Sequence, residues 1–213
     1  MSHGLAQWAA DDGYDEEMIR FARHLHQRFG ENHWSRLFEY PWCLRHGAFY
    51  TGQWVLDVGG GMHCPLAPLL AEGGAQVITL DLANGWRFRQ KGALDVVGDG
   101  CALPFHDGVF DRVLSVSVLE HVANYPQMLR ELWRVLRPGG RLLVSFDVAP
   151  QARFNHQLDE ARTQAILQSF RLALPERPAK VMMHEFDEDP PLAPDEPNKV
   201  KVQCLCFYRD KAL

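Results

Sequence analysis

The sequence predicts a doubly wound α/β domain, on three observations. Apolar runs of strand length alternate with helical patterns between residues 53 and 147. The runs are nearly continuous in Val, Ile and Leu, as strands of a parallel sheet buried on both faces are. Acids stand at the ends of three of them, Asp57, Asp81 and Asp99, along the one edge where open α/β sheets bind ligands.

From Asp15 to about Phe29, apolar residues at Met18, Ile19, Phe21, Ala22, Leu25 and Phe29 recur at helical spacing, which predicts an amphipathic helix. A short helix is predicted over 34–39, ending there because Tyr40 precedes Pro41 and is pushed toward an extended conformation. In "RLFEYPW", Arg36, Tyr40 and Trp42 are candidates for a lid, and an aromatic plug against the sheet is the alternative. Strands are predicted at 53–58, 75–81, 93–99, 110–117 and 140–147, with helices at 65–73 and 125–140. Pro126 is tolerated in the first turn of the second helix, and Pro-Gly-Gly stops it. Beyond Asp147 a helix is predicted from about 154 to 172 and a strand over 179–187. Residues 188–199 carry four of the 13 prolines and five charges, which reads as an exposed loop. The alternating segment 200–210 is a final strand, antiparallel to its neighbour at the sheet edge.

Composition narrows the function. A length of 213 residues suits one domain, and 46% hydrophobic with 23% charged residues is ordinary for a globular chain. A net charge of -5 offers no basic stripe for a nucleic acid. The five cysteines are scattered, without CxxC pairs, and read as reduced thiols of a cytoplasmic protein. The first residues lack the pattern of a signal peptide, and no apolar stretch is long enough to span a bilayer.

The loop "DVGGGMHCP" carries the chemistry. A glycine-rich turn between a strand and the next helix lets backbone N–H groups approach a ligand closely. Gly59 and Gly61 fit the G-x-G-x-x-G pattern of dinucleotide sites, but Cys64 stands at the third position. A nicotinamide-dependent oxidoreductase is therefore disfavoured. Asp57 beside the loop suits a ligand with a cationic amino group, and Asp81 can accept hydrogen bonds from both hydroxyls of a ribose.

The runs "VLDVGGG", "ITLDLA", "GDGCALPFHDGVFDRVLSVSVLEHV" and "MLRELWRVLRPGGRLLVSF" resemble, in order and spacing, the class I S-adenosylmethionine-dependent methyltransferases, in particular the small group related to ubiquinone and menaquinone biosynthesis enzymes. The resemblance implies a Rossmann-like sheet of seven strands with the last antiparallel. It also implies one domain over 1–213: a helical N-terminal cap (1–50), a cofactor-binding core (51–147), and a substrate-side helix with closing strands (148–213). Gly59 and Gly61 would pass under the methionine part of S-adenosylmethionine, with Asp57 near its amino group. Asp81 would hold the ribose, and Leu82 would touch the adenine. Asp99 would accept from the adenine amino group, bordered by Gly100 and Cys101, and Ser115 and Val116 would offer backbone to the methionine amino group.

The implied activity is methyl transfer to an oxygen or nitrogen of a small-molecule acceptor. A non-catalytic methyltransferase-like partner subunit is the alternative, since fold alone does not secure activity. His121 is the first candidate for a general base, with His63 and His184 behind it. His121 can equally pack or cap, and His63 can be a plain surface histidine. His184, Glu185 and Asp187 do not make a complete ligand set, and no metal is expected. The acceptor is expected to be set by the N-terminal helices and by residues 148–199. Neither its identity nor the oligomeric state is written in these motifs.

Overall fold

β1 (Trp54–Val58) is the strand from which the sheet is laid out, with β2 (Gln76–Asp81) parallel on one side and β4 (Phe110–Val116) parallel on the other. The computed structural model describes residues 36–60, 65–82, 92–148, 182–187 and 199–213, together with 20, 24, 27, 161, 162 and 165. β3 (Ala93–Val97) flanks β2, and β5 (Leu136–Val148) flanks β4, both parallel to their neighbours. β7 (Lys199–Asp210) runs antiparallel to β5, and β6 (Met182–Asp187) antiparallel to β7. The order across this mixed, mostly parallel sheet is β3-β2-β1-β4-β5-β7-β6.

Each face has its own apolar layer because successive side chains of a strand point to opposite sides. On one face α1 (Arg36–His46) and α2 (Leu66–Glu72) bring Tyr40, Trp42, Cys43, Leu66 and Leu70 against Val55, Val77 and Leu114. On the other, α3 (Tyr125–Val135) packs Met128, Leu129 and Leu132 against Leu56, Val113 and Leu142. Helices on both faces make the sheet doubly wound.

Two boundaries differ from expectation. α1 runs to His46 with Pro41 inside it, where a stop before Pro41 was expected. An interior proline costs about 3 kcal/mol. Burial of Tyr40 and Trp42, 5% and 6% exposed, offsets that cost at roughly 1.5–3 kcal/mol for each large apolar side chain. α3 ends at Val135 rather than 140, because Leu136 is already extended (ψ 130) and Arg137 precedes Pro138. Residues 136–140 then join β5, with the register against β4 shifting between Phe110 and Arg112. Of the expected helices at 15–29 and 154–172, only residues 20, 24, 27, 161, 162 and 165 lie among the described ones, and these are helical and exposed.

Arg112 ties α1 to the sheet. Its guanidinium, buried beneath the α1–β1 connection, donates to the carbonyls of Gly47 (2.5 Å), Ala48 (2.9 Å) and Asp111 (2.8 Å). Ala48 is held at φ 47, a left-handed conformation uncommon for any residue with a Cβ. Arg112→Ala leaves these carbonyls without their donor and is expected to lower the unfolding free energy by about 2–4 kcal/mol. Urea denaturation checks this; a loss under about 0.5 kcal/mol, ordinary for a surface substitution, would show that the connection holds without Arg112.

Candidate functional site

A cavity of about 290 Å³ opens at the carboxyl edge of β1 and β2, between the segments that leave β1, β2, β3 and β4. Its volume stands near the lower end, roughly 300 Å³, of ligand pockets in general.

The first wall is the end of β1. Gly59 has φ 79 and spends its N–H on the Leu80 carbonyl (2.7 Å). A Cβ at Gly59 would lie 2.4 Å from Val118 Cγ2, so only glycine lets Val118 lean over the loop. A Cβ at Gly60 would lie 2.5 Å from Asp57 Oδ2. The buried Asp57 carboxylate is therefore folded under the loop rather than among the cavity-lining groups.

The second wall is the end of β2, where Asp81 is partly exposed and Leu82 is 70% exposed at the cavity. Asp81 offers a carboxylate beside an apolar ledge. The third wall is the loop after β3, with Gly98 to Cys101 at the cavity. Asp99 Oδ1 accepts the Cys101 N–H (2.8 Å), which fixes the turn. Gly100 has no room for a side chain without displacing Val58 Cγ1, 3.2 Å from a Cβ built there, and Met128. The Cys101 thiol is pushed up from its ordinary pKa, first by burial and then by the Asp99 carboxylate, which favours its neutral form.

That loop is braced from α3. Glu131 accepts the Leu103 N–H (2.8 Å) and pairs with Arg134 (2.7 Å), whose guanidinium also donates to the Leu103 and Phe105 carbonyls and meets Asp107. The hydrogen bond from Arg134 is the main reason that the Glu131 carboxyl lies below the usual carboxylate range. The fourth wall is a 3₁₀ turn (Leu119–His121) with Val118 before it and Val122 to Asn124 after it. His121 is exposed at the cavity.

Seven of the expected site residues thus meet around one cavity: Gly59, Asp81, Leu82, Asp99, Gly100, Cys101 and His121. Ser115 and Val116 do not line it; both are buried within β4, and the exit of that strand reaches the cavity two residues later, at Val118. Gly61 and His63 lie outside the described residues. His184 is on β6, four strand spacings from β1, roughly 19 Å across the sheet. Sequence reasoning missed Val118, Asn124 and Met128. Met128 carried no functional signal, since it falls on the apolar face of α3. Among the described residues no group of three or more His, Cys, Asp or Glu side chains could hold a metal ion, and no helix is long and apolar enough to cross a membrane.

Residues 56–144 match the family model of a methyltransferase domain. Demethylmenaquinone methyltransferase of Beutenbergia cavernae is 38% identical over 108 residues, which make up 48% of this chain and 45% of that protein. The chain spans less than half the length of curated relatives such as this one. Among solved structures, the YcgJ protein of Bacillus subtilis is similar at a TM-score of 0.62 and 15% identity, over 82% of this chain and 98% of that one. Phosphoethanolamine N-methyltransferase 2 of Haemonchus contortus, in complex with S-adenosyl-L-methionine, is similar at 0.57 and 18%, over 98% of this chain and 60% of that one. Both likenesses show the fold. Over residues 56–144 the chain is similar to a methyltransferase domain. Within that stretch it is similar to the demethylmenaquinone methyltransferases. The cavity fits S-adenosylmethionine, the ligand of the Haemonchus contortus neighbour: a glycine cradle too tight for side chains, a carboxylate at a strand end, and an apolar ledge beside it.

Gly59→Ala forces φ 79 on a residue with a Cβ and drives that Cβ into Val118, so calorimetry is expected to show S-adenosylhomocysteine binding weakened by at least about tenfold. Unchanged affinity would show that the loop can move without harm. Because Glu131 is depressed in the fold, its stabilising contribution is complete above the unfolded carboxylate value of about 4.3 and is lost as pH falls through the lower folded value. Glu131→Gln is therefore expected to be less stable than wild type at pH 7, with a smaller further loss down to pH 3; equal acid slopes in urea titrations would contradict the brace.

Proposed function

We propose that this chain catalyses transfer of a methyl group from S-adenosylmethionine to an oxygen or nitrogen of a small-molecule acceptor. The observation that carries this reading is the convergence of Gly59, Asp81, Leu82, Asp99 and His121 on one cavity at the carboxyl edge of the sheet. Bound S-adenosylmethionine supplies a methyl already activated by its positive sulfur. The protein's work is then proximity, alignment and exclusion of water. Asp81 accepts from the ribose hydroxyls, Leu82 covers the adenine, and the segment 99–101 borders the adenine edge. Val118 and the glycine loop shape the methionine end. His121, which lines the cavity, takes a proton from an acceptor that must lose one in this reading.

The finer features belong to the same proposal. The domain is a seven-stranded class I sheet whose cap, residues 1–50, and substrate-side segment, residues 148–199, complete the acceptor pocket. A small metabolite is favoured over a polymer because the net charge of -5 offers no basic surface. A cytoplasmic location suits the free thiol of Cys101 at the cavity.

Calorimetry with S-adenosylmethionine, S-adenosylhomocysteine and NADH tests the reading. Both adenosyl ligands are expected to bind and NADH not to. Asp81→Ala should weaken the adenosyl ligands by roughly 10- to 100-fold, through loss of hydrogen bonds to a charged acceptor. Binding of NADH alone would favour an oxidoreductase. Adenosyl binding without turnover on any acceptor of a broad small-molecule panel would favour a non-catalytic subunit.

A further inference from the structure

Glu39 is a carboxylate with 0% exposure, on a helix outside the catalytic sheet and off the cavity wall. Its Oε1 accepts two hydroxyls, Ser117 Oγ at 2.7 Å and Ser145 Oγ at 2.5 Å, one from the exit of β4 and one from β5. The Ser117 N–H closes the circuit, donating to the Ser145 carbonyl (3.0 Å) and approaching Ser145 Oγ (3.3 Å). Both serines are buried. Away from water such hydrogen bonds are stronger than in solvent, and leaving one unmade is costly. Ser117 itself is held at φ 48, where a residue with a Cβ rarely sits.

The residue after Ser117 is Val118. Its side chain leans on Gly59, and its carbonyl accepts the His121 N–H (2.9 Å), the bond that closes the 3₁₀ turn. The left-handed turn at Ser117 therefore decides where both the Val118 wall and His121 stand. We propose that Glu39 is a positioning residue for the cofactor pocket: through Ser117 and Ser145 it locks the exit of β4 so that Val118 closes over the glycine loop. The proposal rests on the methyltransferase reading and adds to it a mechanical link from α1 to the methionine end of the cofactor. A buried carboxylate serving only to seat α1 would not need a left-handed serine at the cavity rim.

The test compares Glu39→Leu, Glu39→Gln and Ser117→Ala with wild type, reading S-adenosylhomocysteine affinity by calorimetry at a temperature where thermal melts show each variant folded. Leucine removes the acceptor, and the link predicts affinity at least about tenfold weaker. Glutamine keeps an oxygen able to accept both hydroxyls, so affinity is expected within about threefold of wild type, a rescue that bulk packing alone does not predict. Ser117→Ala cuts the same link at its other end with little change in packing, and is expected to weaken binding by about threefold or more even if the leucine variant does not fold. Wild-type affinity in folded Glu39→Leu or in Ser117→Ala overturns the positioning role, as does a glutamine variant no better than leucine. No binding by the wild-type chain sinks the methyltransferase reading itself, a result distinguishable from the first.

Discussion

The neighbours of β1 are the constraint on which the site depends. β2 lies on one side of β1 and β4 on the other, and the helices after β1 and β4, α2 and α3, cover opposite faces. Chains leaving these strands at their carboxyl ends diverge, and the crevice left between them is where open α/β sheets hold ligands. The cavity lies there, walled in turn by the segments that leave β1, β2, β3 and β4. Each wall is a short irregular segment, and none would keep its shape from propensity alone.

Ionisable side chains hold irregular backbone in the same way, Arg112 at the entry to β1 and the others beside the cavity walls. Arg112 holds the backbone next to Ala48, and Glu39 holds the backbone at Ser117; both backbones are left-handed without being glycine. Arg134 and Glu131 brace the loop after β3 from the neighbouring helix. Local strain of about 1–3 kcal/mol persists only where the surroundings over-determine it. Here the surroundings are side-chain hydrogen bonds, those of Arg112 and Glu39 made within the buried interior.

The core of the fold was legible because it is encoded locally. The period and composition of the strands, the glycine turn and the acids at strand ends all appear within a few residues of one another. Strand ends could be placed to within about two residues, as at Val97 against the expected 99 and Val116 against 117. The errors arose where distant partners decided the outcome. Pro41 reads as a helix stop, but the burial of Tyr40 and Trp42 against the sheet carries the helix past it. Pro138 was expected to end the helix at the Pro-Gly-Gly run, yet its restriction acts on the residue before it and the strand begins at Leu136. At the site, the left-handed turn at Ser117 carries the chain on from the end of β4 to Val118 at the cavity, a residue that the strand pattern did not single out. Nothing in the sequence marks a left-handed serine, and Glu39 is 78 residues away from it in the chain.

The central claim is that the carboxyl-edge cavity holds the adenosyl cofactor, with its ribose on Asp81. A crystal structure of the chain with S-adenosylhomocysteine tests it most directly. The account predicts the ribose hydroxyls within hydrogen-bond distance of Asp81, the adenine between Leu82 and the 99–101 segment, and Val118 beside the amino-acid end over Gly59. A ligand bound elsewhere, or bound in this cavity with Asp81 turned away from it, would contradict the account.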